Sequence, residues 1–104
     1  MSWLDLTDNT VHLVEKLFAA HEQVAAMQLI AVECGASLPL VDSTKALLLE
    51  RIRYAVIRLS AGSLVRLAVA VKEANVDWRD VLVAAGFAND IHAHQAWYRE
   101  VTIA

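Results

Sequence analysis

Proline, cysteine and glycine are all scarce in this 104-residue chain, which contains one, one and three of them respectively. The single cysteine, Cys34, cannot form an intramolecular disulfide, which agrees with a reducing compartment. Proline, the strongest helix breaker, occurs only at Pro39, inside the segment GASLPLVD that we predict to be a loop. Proline therefore interrupts none of the predicted helices.

Long uncharged runs are also lacking. The most apolar segment, VAAMQLIAV (24–32), lies between Glu22 and Glu33, which leaves ten uncharged positions where about 20 are needed to span a bilayer. The first eight residues, MSWLDLTD, carry two aspartates and no basic group, unlike a secretory signal peptide. We therefore expect a cytoplasmic protein that does not interact with a membrane.

Motifs that carry enzymatic chemistry are absent as well. The chain has no Gly-x-Ser-x-Gly, no paired CxxC and no P-loop. The Glu-x-x-His spacing of metal-binding helical bundles is missing, and its reverse occurs once, from His12 to Glu15. Cys34 is predicted at a helix C-terminus, where the dipole disfavours a thiolate. We expect no metal and no cofactor, and a binding protein rather than an enzyme.

Helix-forming sequence dominates what remains. Each glycine follows the end of a helical pattern, so Gly35, Gly62 and Gly86 are predicted to be left-handed C-terminal caps. Polar N-caps precede the helices at Thr7 or Asp8, Asp42 or Ser43, Ser63, Asp77 and Asn89. These signals predict an all-α bundle, a single domain over residues 1–104, with five helices at about 8–34, 43–60, 64–74, 78–85 and 90–100.

The first predicted helix is much the longest, and it is apolar on two sides. Hydrophobic residues are 58% of the chain, above the roughly 45 to 50% of typical soluble proteins. One arc of this helix is predicted to face the core: Val11, Val14, Leu17, Phe18, Val24, Ala25, Leu29 and Val32. A second set lies on the opposite side, Met27, Ile30 and Cys34, where we expect a second copy of the chain to cover it. The sequence thus predicts a homodimer.

Two polar residues, His21 and Gln28, fall inside the predicted core arc. They are seven positions apart and therefore share one face, two turns from each other. They could contact a small ligand in a pocket between helices. They could instead form buried hydrogen bonds that fix the register between helices, and this second interpretation is favoured because neither residue belongs to a recognisable motif.

Positive charge is concentrated in residues 45–72, which hold six basic groups and one acid, a local charge of +5 against −8 for the rest of the chain. On the predicted second helix, Arg51 and Arg58 share an outer face with Tyr54 between them. This surface could meet phosphate, an acidic partner protein, or the acidic remainder of the same fold. Nucleic-acid binding is disfavoured because the chain as a whole is acidic.

The segment NDIHAHQAWY (89–98) concentrates histidine and aromatic residues. His92 and His94 lie about 200° apart on a helix and cannot share a metal ion. Asp90 and His94 are four residues apart on one face, which suits either an acid–base dyad or an ordinary surface pair. Trp97 is predicted to be a core residue. The structural interpretation, a closing amphipathic helix, is favoured over a functional site.

These observations lead to one main expectation and several alternatives. We expect a cytoplasmic, homodimeric helical protein that acts by binding a protein partner. A small-ligand-binding protein with a pocket between its helices is one alternative, and a small metal-dependent hydrolase is another. Nucleic-acid binding through the basic segment 45–72 is the least favoured.

Overall fold

The computed structural model describes residues 6–35, 38 and 46–103, and these residues are helical without any strand. The elements are α1 (Asp8–Leu17), a 3₁₀ turn (Ala20–Glu22), α2 (Gln23–Glu33), α3 (Ala46–Ser60), α4 (Leu64–Ala85) and α5 (Ala93–Ile103). The predicted all-α class is confirmed. The predicted caps Asp42 and Ser43 lie outside the described residues. Within the described part of the chain, no helix is long and apolar enough to cross a membrane.

Helix α3 occupies the centre of this arrangement. It packs mainly against α4, and it also contacts α1 and α5, which pack against each other. Helix α2 completes the bundle by packing on α4 and α1. Six consecutive residues of α3, from 52 to 57, are buried, so neighbouring elements enclose this stretch on every side.

Several helices begin where the sequence predicted. The Thr7 side chain accepts a hydrogen bond from the backbone N–H of Thr10 at 3.2 Å, and that of Ser63 accepts from Arg66 at 3.3 Å. Asp77 accepts from the N–H of Arg79 at 3.0 Å. Each bond satisfies an N–H group that the helix cannot pair internally.

The predicted boundary between residues 64–74 and 78–85 is present as a kink at Asp77. Asp77 has extended backbone angles, φ −155° and ψ 98°, so α4 consists of two helical segments that meet at this residue. The prediction that the N-terminal helix is the longest is wrong, because α1 has 10 residues and α3 has 15.

The prediction of one continuous helix over residues 8–34 is also wrong, because the helical conformation is interrupted at Phe18. Phe18 and Ala19 have extended conformations, with ψ near 147° at both. The Gln23 side chain donates to the carbonyls of Phe18 at 3.1 Å and Glu15 at 3.3 Å. These bonds satisfy carbonyl groups at the end of α1 that have no partner inside the helix.

The break reverses the predicted burial of α2. Met27, Ile30 and Cys34 are buried in the core of the single chain, whereas Val24 and Val32 are 58% and 65% exposed. The helical wheel assumed 100° for every residue from 8 to 34, and the two extended residues and the 3₁₀ turn shift the phase. The predicted core arc is therefore correct for α1, and on α2 it is wrong for Val24, Ala25 and Val32, while Leu29 is partly buried against the core.

Side chains from other helices cap the end of α2. The Arg53 guanidinium donates through Nε to the Cys34 carbonyl at 2.8 Å, and Asn75 donates to the Glu33 carbonyl at 2.7 Å. Gly35 does not have the positive φ predicted for it. A Cβ atom at Gly35 would lie 2.9 Å from Nη2 of Arg53, so close approach of that side chain explains the glycine.

Gly62 and Gly86 do have the predicted left-handed conformation, with φ of 82° and 81°. An added Cβ would meet nothing within 4 Å at Gly86, but at Gly62 it would lie 2.6 Å from the Leu17 carbonyl oxygen. A side chain at position 62 is therefore disfavoured for two reasons, the positive φ and the close approach of the α1 backbone.

These two glycines make a matched pair for mutation. We expect Gly86→Ala to lower the free energy of unfolding by about 1–2 kcal/mol, since alanine is strained at positive φ. Gly62→Ala should lower it further because the backbone of Leu17 must also move. Urea denaturation followed by circular dichroism measures both losses. Equal losses would show that the contact with Leu17 is unimportant.

Candidate functional site: a polar cleft between α1, α3 and α5

A cleft of about 650 Å³ opens where α1, α3 and α5 meet. Its volume is within the range of small-molecule sites. Polar and aromatic side chains predominate in its wall, which is formed by Thr7, Asn9, Ala46, Leu47, Glu50, Tyr54, His94, Gln95, Tyr98 and Arg99.

Glu50 anchors the side of the cleft nearest the start of α1. The Thr7 hydroxyl lies 2.9 and 3.0 Å from the two carboxylate oxygens, and the buried Thr10 hydroxyl donates to Oε1 at 2.7 Å. Thr7 caps α1 with the same oxygen. The carboxylate thus faces the N-terminus of α1, where the helix dipole favours negative charge.

Aromatic rings form the opposite wall. Tyr54 and Tyr98 are stacked with their centroids 5.9 Å apart, and the Tyr98 hydroxyl donates to Oδ1 of Asn9 at 3.1 Å. Tyr54 is only 2% exposed. Burial, and to a lesser degree the Glu50 carboxylate, raise its pKa above the ordinary tyrosine value, so the phenol remains protonated.

His94 is the most unusual residue of the cleft wall because it is fully buried. Its ring meets Tyr54 edge-on at 5.1 Å and Phe87 at 6.3 Å. Neither ring nitrogen has a hydrogen-bond partner of good geometry among the residues that the structure describes, and the Ile91 backbone acts on the ring only weakly. Buried polar groups are nearly always paired, so two unpaired nitrogens on one imidazole need an explanation.

The surroundings of His94 favour its neutral form. Burial lowers the pKa of the imidazole below its ordinary value, and the positive charge of Arg51 lowers it further. The Glu50 carboxylate and the Ile91 backbone act in the opposite direction, and His92 adds a small lowering effect. Near neutral pH the ring therefore offers one N–H donor and one nitrogen acceptor.

The predicted pairing of Asp90 with His94 is not found. Asp90 is exposed, and its carboxylate accepts a hydrogen bond from the backbone N–H of His92 at 2.8 Å. Asp90 forms a turn before α5, which begins at Ala93 and not at position 90. The two residues are therefore not on one helical face, and His94 points inward.

His21 and Gln28, predicted to be buried together, are both exposed. His21 belongs to the 3₁₀ turn, and Gln28 lies on the outer side of α2 beside Val24 and Val32. The phase shift after Phe18 accounts for both errors. Neither residue reaches the cleft lined by His94.

The predicted outer face of Arg51, Tyr54 and Arg58 is wrong for two of its members. Tyr54 is buried, and the half-buried Arg51 donates to the Phe87 carbonyl at 2.6 Å. Arg58 is exposed, but its guanidinium lies over the rings of Phe87 and Trp97 at 5.4 and 5.8 Å. These contacts favour the interpretation that the basic segment serves its own fold.

The remaining predicted partner residues, Met27, Ile30 and Cys34, lie in the core and cannot form the expected surface. Burial raises the pKa of the Cys34 thiol to about 12, and the positive charge of Arg53 offsets part of this effect. The thiol is therefore a poor nucleophile, as its position at a helix end suggested.

Glu50, Asn9 and Tyr98 were missed as site residues. One signal was available for Glu50, which is the only acid within residues 45–72. The other two come from opposite ends of the chain, and only the packing of α1 against α5 brings them together. Among the described residues, no three His, Cys, Asp or Glu side chains are grouped closely enough to hold a metal ion.

No protein-family model matches the chain, and comparisons with curated proteins and with solved structures give no significant match.

The buried imidazole predicts a specific dependence of stability on pH. Histidine titrates near pH 6.5 in an unfolded chain, and folding lowers the pKa of His94. As the pH falls below about 7, the unfolded state takes up this proton first, so stability falls until the folded pKa is reached. Above about pH 7 the group is neutral in both states and has no effect.

Melting temperatures between about pH 7.5 and pH 5 test this expectation. His94→Leu should lose less stability on acidification than the wild-type protein does, because the titrating group is gone. The exposed His21 provides the control, and His21→Leu should follow the wild-type curve. Parallel curves for wild type and His94→Leu would contradict the assignment.

Proposed function

We propose that this chain is a small-ligand-binding protein whose site is the cleft between α1, α3 and α5. One observation carries the proposal: the fully buried His94 has two unpaired ring nitrogens and forms part of the wall of a 650 Å³ cleft. A buried polar group without a partner costs roughly 1–3 kcal/mol, and active sites are often retained at the expense of stability. A ligand that pairs with the imidazole recovers this energy on binding.

The charges around the cleft favour a ligand without net charge. Glu50 and Arg99 contribute one charge of each sign, and His94 is neutral near pH 7. The two nitrogens of the neutral imidazole point in divergent directions, one as a donor and one as an acceptor. A primary amide can pair with either of them, its carbonyl accepting from the ring N–H or its N–H donating to the other nitrogen. The rings of Tyr54 and Tyr98 suit an aromatic or other flat body attached to that group.

Access to His94 requires a small adjustment of the wall, since the ring is covered. Tyr98 is half-buried and is held by one hydrogen bond, to the exposed Asn9. Rotation of its ring away from Tyr54 would widen the cleft beside Tyr54, one of the two rings that contact His94, without disturbing α3. We therefore assign Tyr98 the role of the movable residue and Tyr54 the role of the fixed one.

The homodimer and the cytoplasmic location expected from the sequence remain proposals. The observation that still favours a protein–protein contact is the number of exposed valines, on α2 and on α4. An amphipathic helix that exposes large apolar side chains is typical of an interaction surface. The cleft is a separate feature, on different helices.

The ligand proposal is tested by NMR titration of the histidine and tyrosine ring resonances with three probes of similar shape. These are benzamide, benzoate and benzylamine, which are neutral, anionic and cationic respectively. We expect millimolar benzamide to shift the resonances of His94 and Tyr98, and the two charged probes to shift them less. Unchanged resonances with all three probes would contradict the proposal.

A matched pair of variants shows whether the imidazole itself is responsible. His94→Leu should abolish the shift of the Tyr98 resonances, because the donor and acceptor are removed. His21→Leu should leave it unchanged, since His21 lies outside the cleft. Retained binding in His94→Leu would mean that the unpaired nitrogens do not recognise the ligand.

A further inference from the structure

The Glu50 carboxylate lines the cleft with part of its hydrogen-bonding capacity unused. The Thr10 hydroxyl donates to Oε1 at 2.7 Å, and the Thr7 hydroxyl lies 3.0 and 2.9 Å from Oε1 and Oε2. Each hydroxyl has a single hydrogen to donate, whereas a carboxylate can accept at about four positions. The two threonines therefore leave acceptor positions of Glu50 open.

No basic side chain forms an ion pair with Glu50 within residues 6–35, 38 and 46–103. The next residue along the chain, Arg51, donates to the Phe87 carbonyl at 2.6 Å instead. The carboxylate is half-buried and carries a full negative charge near pH 7. A hydrogen bond from a ligand to this group would be charge-assisted, and such bonds are stronger than those between neutral groups.

The two threonines also hold the carboxylate in place. Thr10 is buried, and Thr7 caps α1 by accepting a hydrogen bond from the Thr10 backbone N–H. Both residues belong to the start of α1, so Glu50 of α3 is tied to a neighbouring helix. An acceptor that is already positioned loses less conformational freedom when a ligand binds, and this favours affinity.

Glu50 and the buried His94 line the same cleft. Glu50 and Tyr54 are four residues apart and share one face of α3, and the Tyr54 ring contacts the His94 ring at 5.1 Å. The negative charge of Glu50 partly offsets the lowering of the His94 pKa, as expected for two groups that are close in space. A ligand that reaches the imidazole therefore also meets the field of this carboxylate.

We propose that Glu50 is the specificity-determining residue of this cleft, and that it selects ligands with a primary amide group. The carboxylate accepts an amide N–H of the ligand, while the His94 ring N–H donates to the amide carbonyl. Of the two pairings open to the imidazole, this arrangement uses its donor, because Glu50 already engages the ligand N–H. The inference rests on the proposed ligand site and names the class of ligand that the site accepts.

This pairing distinguishes a primary amide from charged groups of similar size. An ammonium group donates to Glu50, but it cannot accept from the His94 N–H, and the positive charge of Arg51 that acts on His94 opposes it. A carboxylate accepts from His94 but is repelled by Glu50. The primary amide carries both a donor and an acceptor without a net charge, so it can satisfy both residues.

The first experiment compares benzamide with acetophenone, which has a methyl group in place of the amide nitrogen and otherwise keeps the ring, the carbonyl and the shape. The measurement is the initial slope of the Tyr98 ring chemical shift against probe concentration. We expect the slope for acetophenone to be about tenfold smaller in the wild-type protein, because its methyl group offers no hydrogen to the Glu50 carboxylate.

A matched pair of variants then tests Glu50 itself. Glu50→Gln removes the charge but nearly keeps the shape, so we expect the ratio of the benzamide slope to the acetophenone slope to fall from about tenfold to about twofold. A purely structural role of Glu50 would lower both slopes and leave their ratio unchanged. Glu100→Gln is the control, exposed on α5 and outside the cleft, and should keep the wild-type ratio. Circular dichroism verifies that both variants are folded.

Three results would overturn this assignment, and they separate it from the ligand site on which it rests. Equal slopes for benzamide and acetophenone in the wild type would show that the amide N–H is not recognised, although the cleft binds a ligand. A tenfold ratio that persists in Glu50→Gln would show that another residue recognises the N–H. No shift with either probe would remove the ligand site itself, and the role of Glu50 with it.

Discussion

Enclosure of α3 is the constraint on which the other helices depend. A helix buried on one side can leave its polar residues in water, but residues 52 to 57 are buried consecutively and include Arg53 and Tyr54. Burying a charge or a hydroxyl without partners is unfavourable, so neighbouring elements must supply them. The end of α2 meets Arg53 through the Cys34 carbonyl, and α1 and α5 close over Tyr54.

The same enclosure links fold to function. The α1 and α5 helices that cover Tyr54 also form two walls of the polar cleft and carry Asn9, Tyr98 and His94. His94 is confined between the rings of Tyr54 and Phe87, and Phe87 is held in turn by Arg51 and Arg58. Arg51 and Arg58 of α3 therefore hold Phe87 against His94, although neither arginine lines the cleft.

Local interactions explain which features could be predicted from the sequence. Caps such as Thr7, Ser63 and Gly86 act within a few residues, so a short pattern is enough to recognise them. The break at Phe18 has no such pattern. It depends on Gln23 reaching back to the end of α1 and on where the buried Phe18 fits in the core.

Site residues were difficult to predict for a related reason. Each segment was assigned one polar and one apolar face, which works for an ordinary surface helix. A residue such as His94, polar but buried, is placed on the wrong side by this rule. Val24 and Val32 of α2 show the opposite error, because they are apolar but exposed. The helix phase was predicted wrongly after Phe18, which exchanged the buried and exposed faces of α2.

The position of Cys34 gives the molecule a built-in reporter of its own opening motions. The thiol is fully buried, has a pKa of about 12, and is the only cysteine in the chain. A thiol reagent therefore reacts only with conformations in which the end of α2 has separated from Arg53. The rate of labelling, compared with that of an unfolded peptide, gives the free energy of that separation.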